Sequence, residues 1–201
     1  MSEKSEDVKI YFLFDNNLHK KSVELLEELM SVIPNSVKSY KNSDEMKHLN
    51  YIKVHEDIGP QYLIINQPNF SRIVFKIIHF KSRADLGFTK QPIISKNYNL
   101  VLNNFTSDLG IKVANQLMEI YSDCKLNSNQ VINFSVHKDF IYFRFYRFKI
   151  SVSKTDLEKE KVLFHQLGPQ LTLRLWRMTE VIEGKEKIYN YEKYIKHANL
   201  L

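Results

Sequence analysis

Six side chains toward the carboxyl end have the types and spacing to hold a polyanion: Arg144, Arg147, Lys149, Arg174, Trp176 and Arg177. Guanidinium groups grip phosphate through paired N–H donors, and flat rings stack on bases at about 1–3 kcal/mol per base. These residues sit in two runs, Asp139–Ile150 and Leu167–Met178. Their aromatic, β-branched and alternating content predicts strands. In the second run Leu171, Leu173 and Leu175 fall on one face, and Thr172, Arg174 and Trp176 on the other. In the first, Arg144 alternates with Tyr142 and Tyr146, while Arg147 and Lys149 take the opposite side. Paired as a hairpin, the two runs are expected to gather the six residues on one basic, aromatic sheet face. Two plainer readings stand beside this one. The face is an ordinary exposed surface with cross-strand cation–π pairs under about 1 kcal/mol each, or Trp176 is an anchor for a protein partner.

Charge follows the same segment. The chain of 201 residues carries a formal +6. Residues 1–83 hold 12 Lys/Arg against 11 Asp/Glu, and residues 84–201 hold 17 against 12. The window 138–177 alone holds 9 against 4, which accounts for the whole surplus of the second part. Clustered positive charge suits a polyanion partner.

Other chemistry is poorly supported. Cys124 is the single cysteine, so no internal disulfide or cysteine-based zinc site is expected. The seven histidines show no metal-ligand spacing, and no Gly-Lys-Ser/Thr phosphate loop exists. No cofactor and no small-molecule substrate are therefore expected. His137 and Asp139, two apart on a predicted strand, allow a base and its orienter, hence a small hydrolase; a turn-region polar pair is the plainer reading. His55-Glu56-Asp57 reads as a solvated turn. Asn103 and Asn104, ahead of a helix, suit either a phosphate at its N-terminus or simple capping. No apolar run nears the roughly 20 residues that cross a bilayer, and no leader opens the chain, so no membrane partner is expected.

The elements that must position these residues form two similar series. The first has a strand over 8–14, then a helix from Leu18 to Ile33, capped by Asp15 or Asn16 and stopped by Pro34. A strand over 37–41, a short helix over 43–50, a Gly59-Pro60 turn and strands over 61–66 and 71–80 follow. Residues 84–98 read as a connector. The second has a strand over 99–103, a helix capped by Thr106 or Ser107 and a strand over 130–136. The aromatic run, a charged insert over 153–161 with Lys154, Lys159 and Lys161, a Gly168-Pro169 turn, the Leu/Arg strand and an edge strand over 188–195 complete it. Gly-Pro-Gln occurs in both series, at 59–61 and 168–170. A duplicated α/β unit accounts for the matching order.

Three segments carry a resemblance. Leu100-Val-Leu-Asn-Asn-Phe-Thr106 with Leu109-Gly110, then Asp139-Phe-Ile-Tyr-Phe-Arg144, then Leu167-Gly-Pro169 with Thr172-Leu-Arg-Leu175 resemble the Brix domain in order and spacing. Brix proteins are ribosome-assembly factors, and the wording here is most like the large-subunit branch. Where relatives have an arginine after Gly-Pro, this chain has Gln170. The resemblance implies an α/β fold of two related halves, each a small mixed sheet with packed helices, similar to anticodon-binding domains. It implies one Brix domain over 1–201, with halves 8–83 and 99–195 joined by 84–98. It further implies a non-enzymatic role, a nucleolar location and a partnership with pre-rRNA in large-subunit precursors, a dedicated assembly factor and ribosomal proteins. A small-subunit factor of the same family, and a protein adaptor without RNA contact, remain as alternatives.

Overall fold

The computed structural model describes residues 9–87, 97–121, 128–152 and 160–191. Most of the charged insert (153–159), most of the connector (88–96) and the end of the expected edge strand (192–195) lie outside the described residues. The chain is mixed α/β and forms two compact units. One is built from residues up to Lys76 and from Leu175 onward, the other from Ile77 to Arg174.

In the first unit β1 (Ile10–Leu13) leads into α1 (Lys20–Val32), β2 (Ser36–Ser39), β3 (Tyr51–Asp57), β4 (Gly59–Gln67) and β5 (Ser71–Lys81, to Lys76 in this unit). The strand order is β2-β1-β3-β4-β5, with β1 parallel to β2 and β3, and the others antiparallel. Leu25, Leu26, Leu29 and Val32 recur at helical spacing and are buried, which seats α1 on the sheet against β3 and β4. On that side lie Phe12, Ile52, Leu63, Ile65, Ile73 and Phe75. On the opposite face Met46, with Leu49, covers Leu13, Tyr51 and Ile64.

Helix α1 begins later than the sequence indicates. Asp15 is used in a local turn with Asn17 and Leu18, and His19 is the N-cap, its Nδ1 accepting from Lys21 N. The Glu56 carboxylate accepts from His19 N at 2.9 Å and from the Ser22 hydroxyl. The expected solvated turn at 55–57 is thus the end of β3, and Glu56 completes the cap of the helix. The expected helix over 43–50 is a run of turns, in which Asn42 Oδ1 takes the amides of Asp44 and Glu45 at 3.0 Å each.

In the second unit β6 (Asn99–Asn103), α2 (Asp108–Ile120), β7 (Gln130–His137), β8 (Phe140–Val152) and β9 (Glu160–Ile182, to Arg174 in this unit) repeat the theme. The strand order is β9-β8-β7-β6, with β6 parallel to β7. Ser107 caps α2, its hydroxyl accepting from Gly110 N at 2.9 Å. Tyr98, Tyr121, Phe134, Phe143 and Phe145 meet ring to ring, mostly edge-on, in the core.

Two expectations change here. Gly168-Pro169 is no turn: β9 runs through it, paired with β8 on both sides, and the register shifts between Arg144↔Gln170 and Tyr146↔Gln166. The two Gly-Pro-Gln segments are not equivalent, since one opens β4 and the other lies within β9. The end of β9 belongs with the first unit, where β10 (Lys185–Asn190) folds back on it in register Lys185↔Ile182 to Asn190↔Arg177.

Candidate nucleic-acid interface

In the second unit the sheet face turned away from the aromatic core carries Phe140, Tyr142, Arg144 and Tyr146 on β8. Opposite them on β9 are Arg174, Thr172, Gln170 and Gln166. Arg174 is half-buried, with its guanidinium carbon 4.0 Å from the Phe140 ring centroid. Arg144 is 5.6 Å from the Tyr142 ring, and its Nη1 donates to the carbonyls of Phe143 at 2.7 Å and Leu171 at 2.8 Å. Those bonds satisfy acceptors beside the register shift. Burial lowers the pKa of Arg144 below the usual arginine value, opposed by Tyr146 and Tyr142. Arg144 is thus a structural arginine with donor atoms to spare.

Arg147 and Lys149 project from the other side of β8, opposite His165 and Leu163. Arg147 is still paired with Gln130 of β7, and Lys149 belongs to the two-stranded end of the β8–β9 pair, which has two unlike faces. Phe148, Ile150, Val162 and Phe164 line up on one, with Ile150 53% and Phe164 61% exposed. Arg147, Lys149, Lys161 and His165 occupy the other, with the exposed Leu163 among them.

Trp176 and Arg177 lie in the first unit. Leu171, Leu173 and Leu175 are buried, then Met178 and Glu180, so the inward alternation of β9 slips by one at Trp176–Arg177. Two adjacent side chains consequently leave the core. Trp176 packs on Tyr62 at 5.8 Å and Tyr191 at 5.6 Å, and Lys76 Nζ stands 5.3 Å over its ring. Tyr62 and Lys76 are cross-strand partners on β4 and β5. The same face carries Arg72 opposite Asn66, and Lys53 opposite Ile64. Lys53 donates to Ser43 Oγ at 2.8 Å. Burial, then the Arg72 charge, lowers its pKa, against the pull of Asp44.

The six expected residues do not all share one sheet face. Arg144 and Arg174 share a face in the second unit, Arg147 and Lys149 take its reverse, and Trp176 and Arg177 belong to the first. Lys53, Tyr62, Arg72, Lys76 and Tyr191 were not anticipated. Part of their signal was there: Arg72 and Lys76 alternate with the inward Ile73 and Phe75 along β5, whereas the buried run Leu63–Ile65 on β4 hides Tyr62.

Among the described residues the competing chemistries find no geometry. His137 ends β7, whereas Lys138 and Asp139 form a two-residue hairpin turn with φ of 49° and 62°. The pair therefore does not share a strand face. Asn103 Nδ2, at the end of β6, donates to Asn133 Oδ1 at 3.0 Å, and Asn104 Nδ2 to Val136 O at 3.3 Å, so both amides tie the end of β6 to β7. The α1 N-terminus already holds the Glu56 carboxylate. Among the described residues no three His, Cys, Asp or Glu side chains cluster as metal ligands, and no helix is long and apolar enough to cross a membrane.

A sheet-and-helix unit built twice, with cations and rings on helix-free faces, agrees with the comparison to known families: the Brix domain matches residues 16–177, and the chain belongs to that family. Its curated relatives include probable ribosome production factor 1 of Drosophila melanogaster, 26% identical over 89% of this chain and 47% of the relative. Ribosome production factor 1 of Pongo abelii is 28% identical over 86% and 51%, and that of Saccharomyces cerevisiae 25% over 90% and 64%. The chain spans about half the length of the first two. A crystal structure of a probable ribosomal biogenesis protein from Aeropyrum pernix K1 has the same fold. Its TM-score is 0.57 at 10% identity, over 83% of this chain and 96% of that one.

Proposed function

We propose that this chain is a non-enzymatic ribosome-biogenesis factor that binds pre-rRNA and a protein partner within precursors of the large subunit, in the nucleolus. The observation that carries the reading is that each unit presents arginine or lysine against an aromatic ring on an outward sheet face, Arg174 over Phe140 and Lys76 over Trp176. Cations beside rings suit a phosphate backbone with unstacked bases, whereas RNA helices are read through shape and backbone. Few base-specific contacts are expected. Brix membership and relatives named ribosome production factor 1 support the same role. The apolar side of the β8–β9 end, with Ile150 and Phe164 outward, suits a protein partner better than RNA.

The test is to tag the chain, purify it from cells and identify the rRNA precursors that accompany it. Large-subunit precursors support the proposal, small-subunit precursors move the chain to that branch of the family, and proteins without RNA make it an adaptor.

A further inference from the structure

In the second unit the helix-free sheet face carries a groove of about 450 Å³ beside the two-stranded end of β8 and β9. A hollow of that size takes an inserted side chain or a small ligand. The register puts its lining residues on one side of the sheet: Val101 and Asn103 on β6, Val131 and Asn133 on β7, Tyr146 on β8 and Phe164 on β9. The Phe164 ring, 6.1 Å from that of Tyr146 and 6.3 Å from that of Phe148, is 61% exposed. Ile150 and Val162, a cross-strand pair on the same side, carry the apolar surface onward and are 53% and 49% exposed. No lining residue is charged. Asn103 Nδ2 donates to Asn133 Oδ1, and neither side-chain amide makes another bond among the described residues, so Asn103 Oδ1 and Asn133 Nδ2 stay open.

Three occupants can be compared. A nucleic-acid strand needs cations along its backbone, and the groove is lined by none. The paired runs 144–151 and 161–171 hold Arg144, Arg147, Lys149 and Lys161 and no carboxylate, so a second copy of this end would meet it with like charge. A protein segment that combines bulky apolar side chains with carboxylates matches both features. We propose that the groove docks such a segment, an acidic amphipathic stretch of a partner protein. An apolar side chain enters against Val101, Val131 and Phe164, and the peptide groups of the segment meet Asn103 Oδ1 and Asn133 Nδ2. Its carboxylates lie in the field of Arg147, Lys149 and Lys161 on the reverse of the same strands. This deepens the protein-partner part of the proposed function and rests on it, while the cations and rings at Arg174 and Trp176 remain assigned to RNA.

The experiment selects a random-peptide display library on the full chain, then measures the enriched peptides by fluorescence anisotropy across a salt series, with a thermal melt of each variant. The enriched sequences should combine aromatic or aliphatic residues with Asp or Glu. Phe164→Ser, at an exposed site that folding does not need, should weaken them by about tenfold or more, and Ile150→Ser by less. Lys149→Glu with Lys161→Glu should also weaken them and flatten their salt dependence. Arg174→Ala should leave them bound while it weakens a short single-stranded RNA measured in parallel. The docking site is overturned if no peptide is enriched, if the enriched peptides lack carboxylates, or if Phe164→Ser binds them as the parent does. It is also overturned if the parent sediments as a dimer that Phe164→Ser dissociates, since the occupant is then a second copy. Loss of RNA by Phe164→Ser as large as that by Arg174→Ala overturns it too. In each of these cases RNA binding by the parent leaves the proposed function standing, whereas a parent that binds the peptides and no RNA sinks the RNA reading alone.

Discussion

Arg144 and Arg174 stand on one face of the β8–β9 pair, separated by the Tyr142–Thr172 cross-strand pair. They do different work. Arg144 ties the carbonyls of Phe143 and Leu171 beside the register shift, whereas Arg174 lies over the Phe140 ring. Arg144→Ala should therefore cost about 1–2 kcal/mol of folding stability through unsatisfied acceptors. Arg174→Ala should cost less than about 1 kcal/mol. Both should weaken RNA retention and flatten its salt dependence. Denaturant unfolding beside a salt titration separates the two effects; equal stability losses would count against the structural role of Arg144.

Glu56 links β3 to the start of α1 across more than thirty residues of chain. Glu56→Ala should destabilise the first unit by about 1–2 kcal/mol, as the loss of a helix cap does. Glu56→Gln, which keeps an acceptor but no charge at the positive helix end, should recover part of that loss. Denaturant midpoints of the three proteins check this, and a Gln variant no better than Ala would argue against capping.

Gly168 has φ +70°, and a Cβ there would sit 3.0 Å from Leu86 Cδ1 and 3.2 Å from Arg83 Cγ. Gly168→Ala should cost about 1–3 kcal/mol, from backbone strain in the left-handed region plus this crowding. A thermal melt unchanged from the parent would show that the chain relaxes at this point.

What the sequence made legible depended on whether neighbours had to be known. The β8 and β9 runs alternate with period two because one side meets a core, so Ile141, Phe143, Leu171 and Leu173 could be assigned inward beforehand. Strand β3 was not visible. Tyr51 and Ile52 are both buried, one under Met46 and one on the α1 side, which erases the alternation. Gly168-Pro169 has the composition of a turn, yet pairing with β8 on either side carries the strand through. The site was harder still. The slip that turns both Trp176 and Arg177 outward shows only when the burial along β9 is known, and so does the meeting of Trp176 with Tyr62 and Tyr191.

Lys53 gives a pH test of the first unit. Burial lowers its folded-state pKa, so between that value and the ordinary 10.5 the unfolded chain binds more protons and stability rises with pH. The cost of holding the buried ammonium is complete below the lowered value. Lys53→Met should therefore be more stable than the parent at neutral pH, with the gap closing as pH nears 10.5. Tyr51, raised by burial, titrates in both proteins, so the difference between their unfolding free energies at pH 7 and 10 isolates Lys53. A gap that stays constant would contradict the assignment.

The central claim is that outward sheet faces bearing cations and rings, around Trp176 in one unit and Arg174 in the other, grip RNA. Ultraviolet crosslinking in cells, followed by mass spectrometry of the crosslinked peptides and sequencing of the attached RNA, tests it most directly. Adducts on the peptides carrying Tyr62, Trp176, Phe140 or Tyr142, attached to large-subunit rRNA precursors, are the result expected. Adducts confined to the outer surfaces of α1 and α2, or none above background, would contradict it.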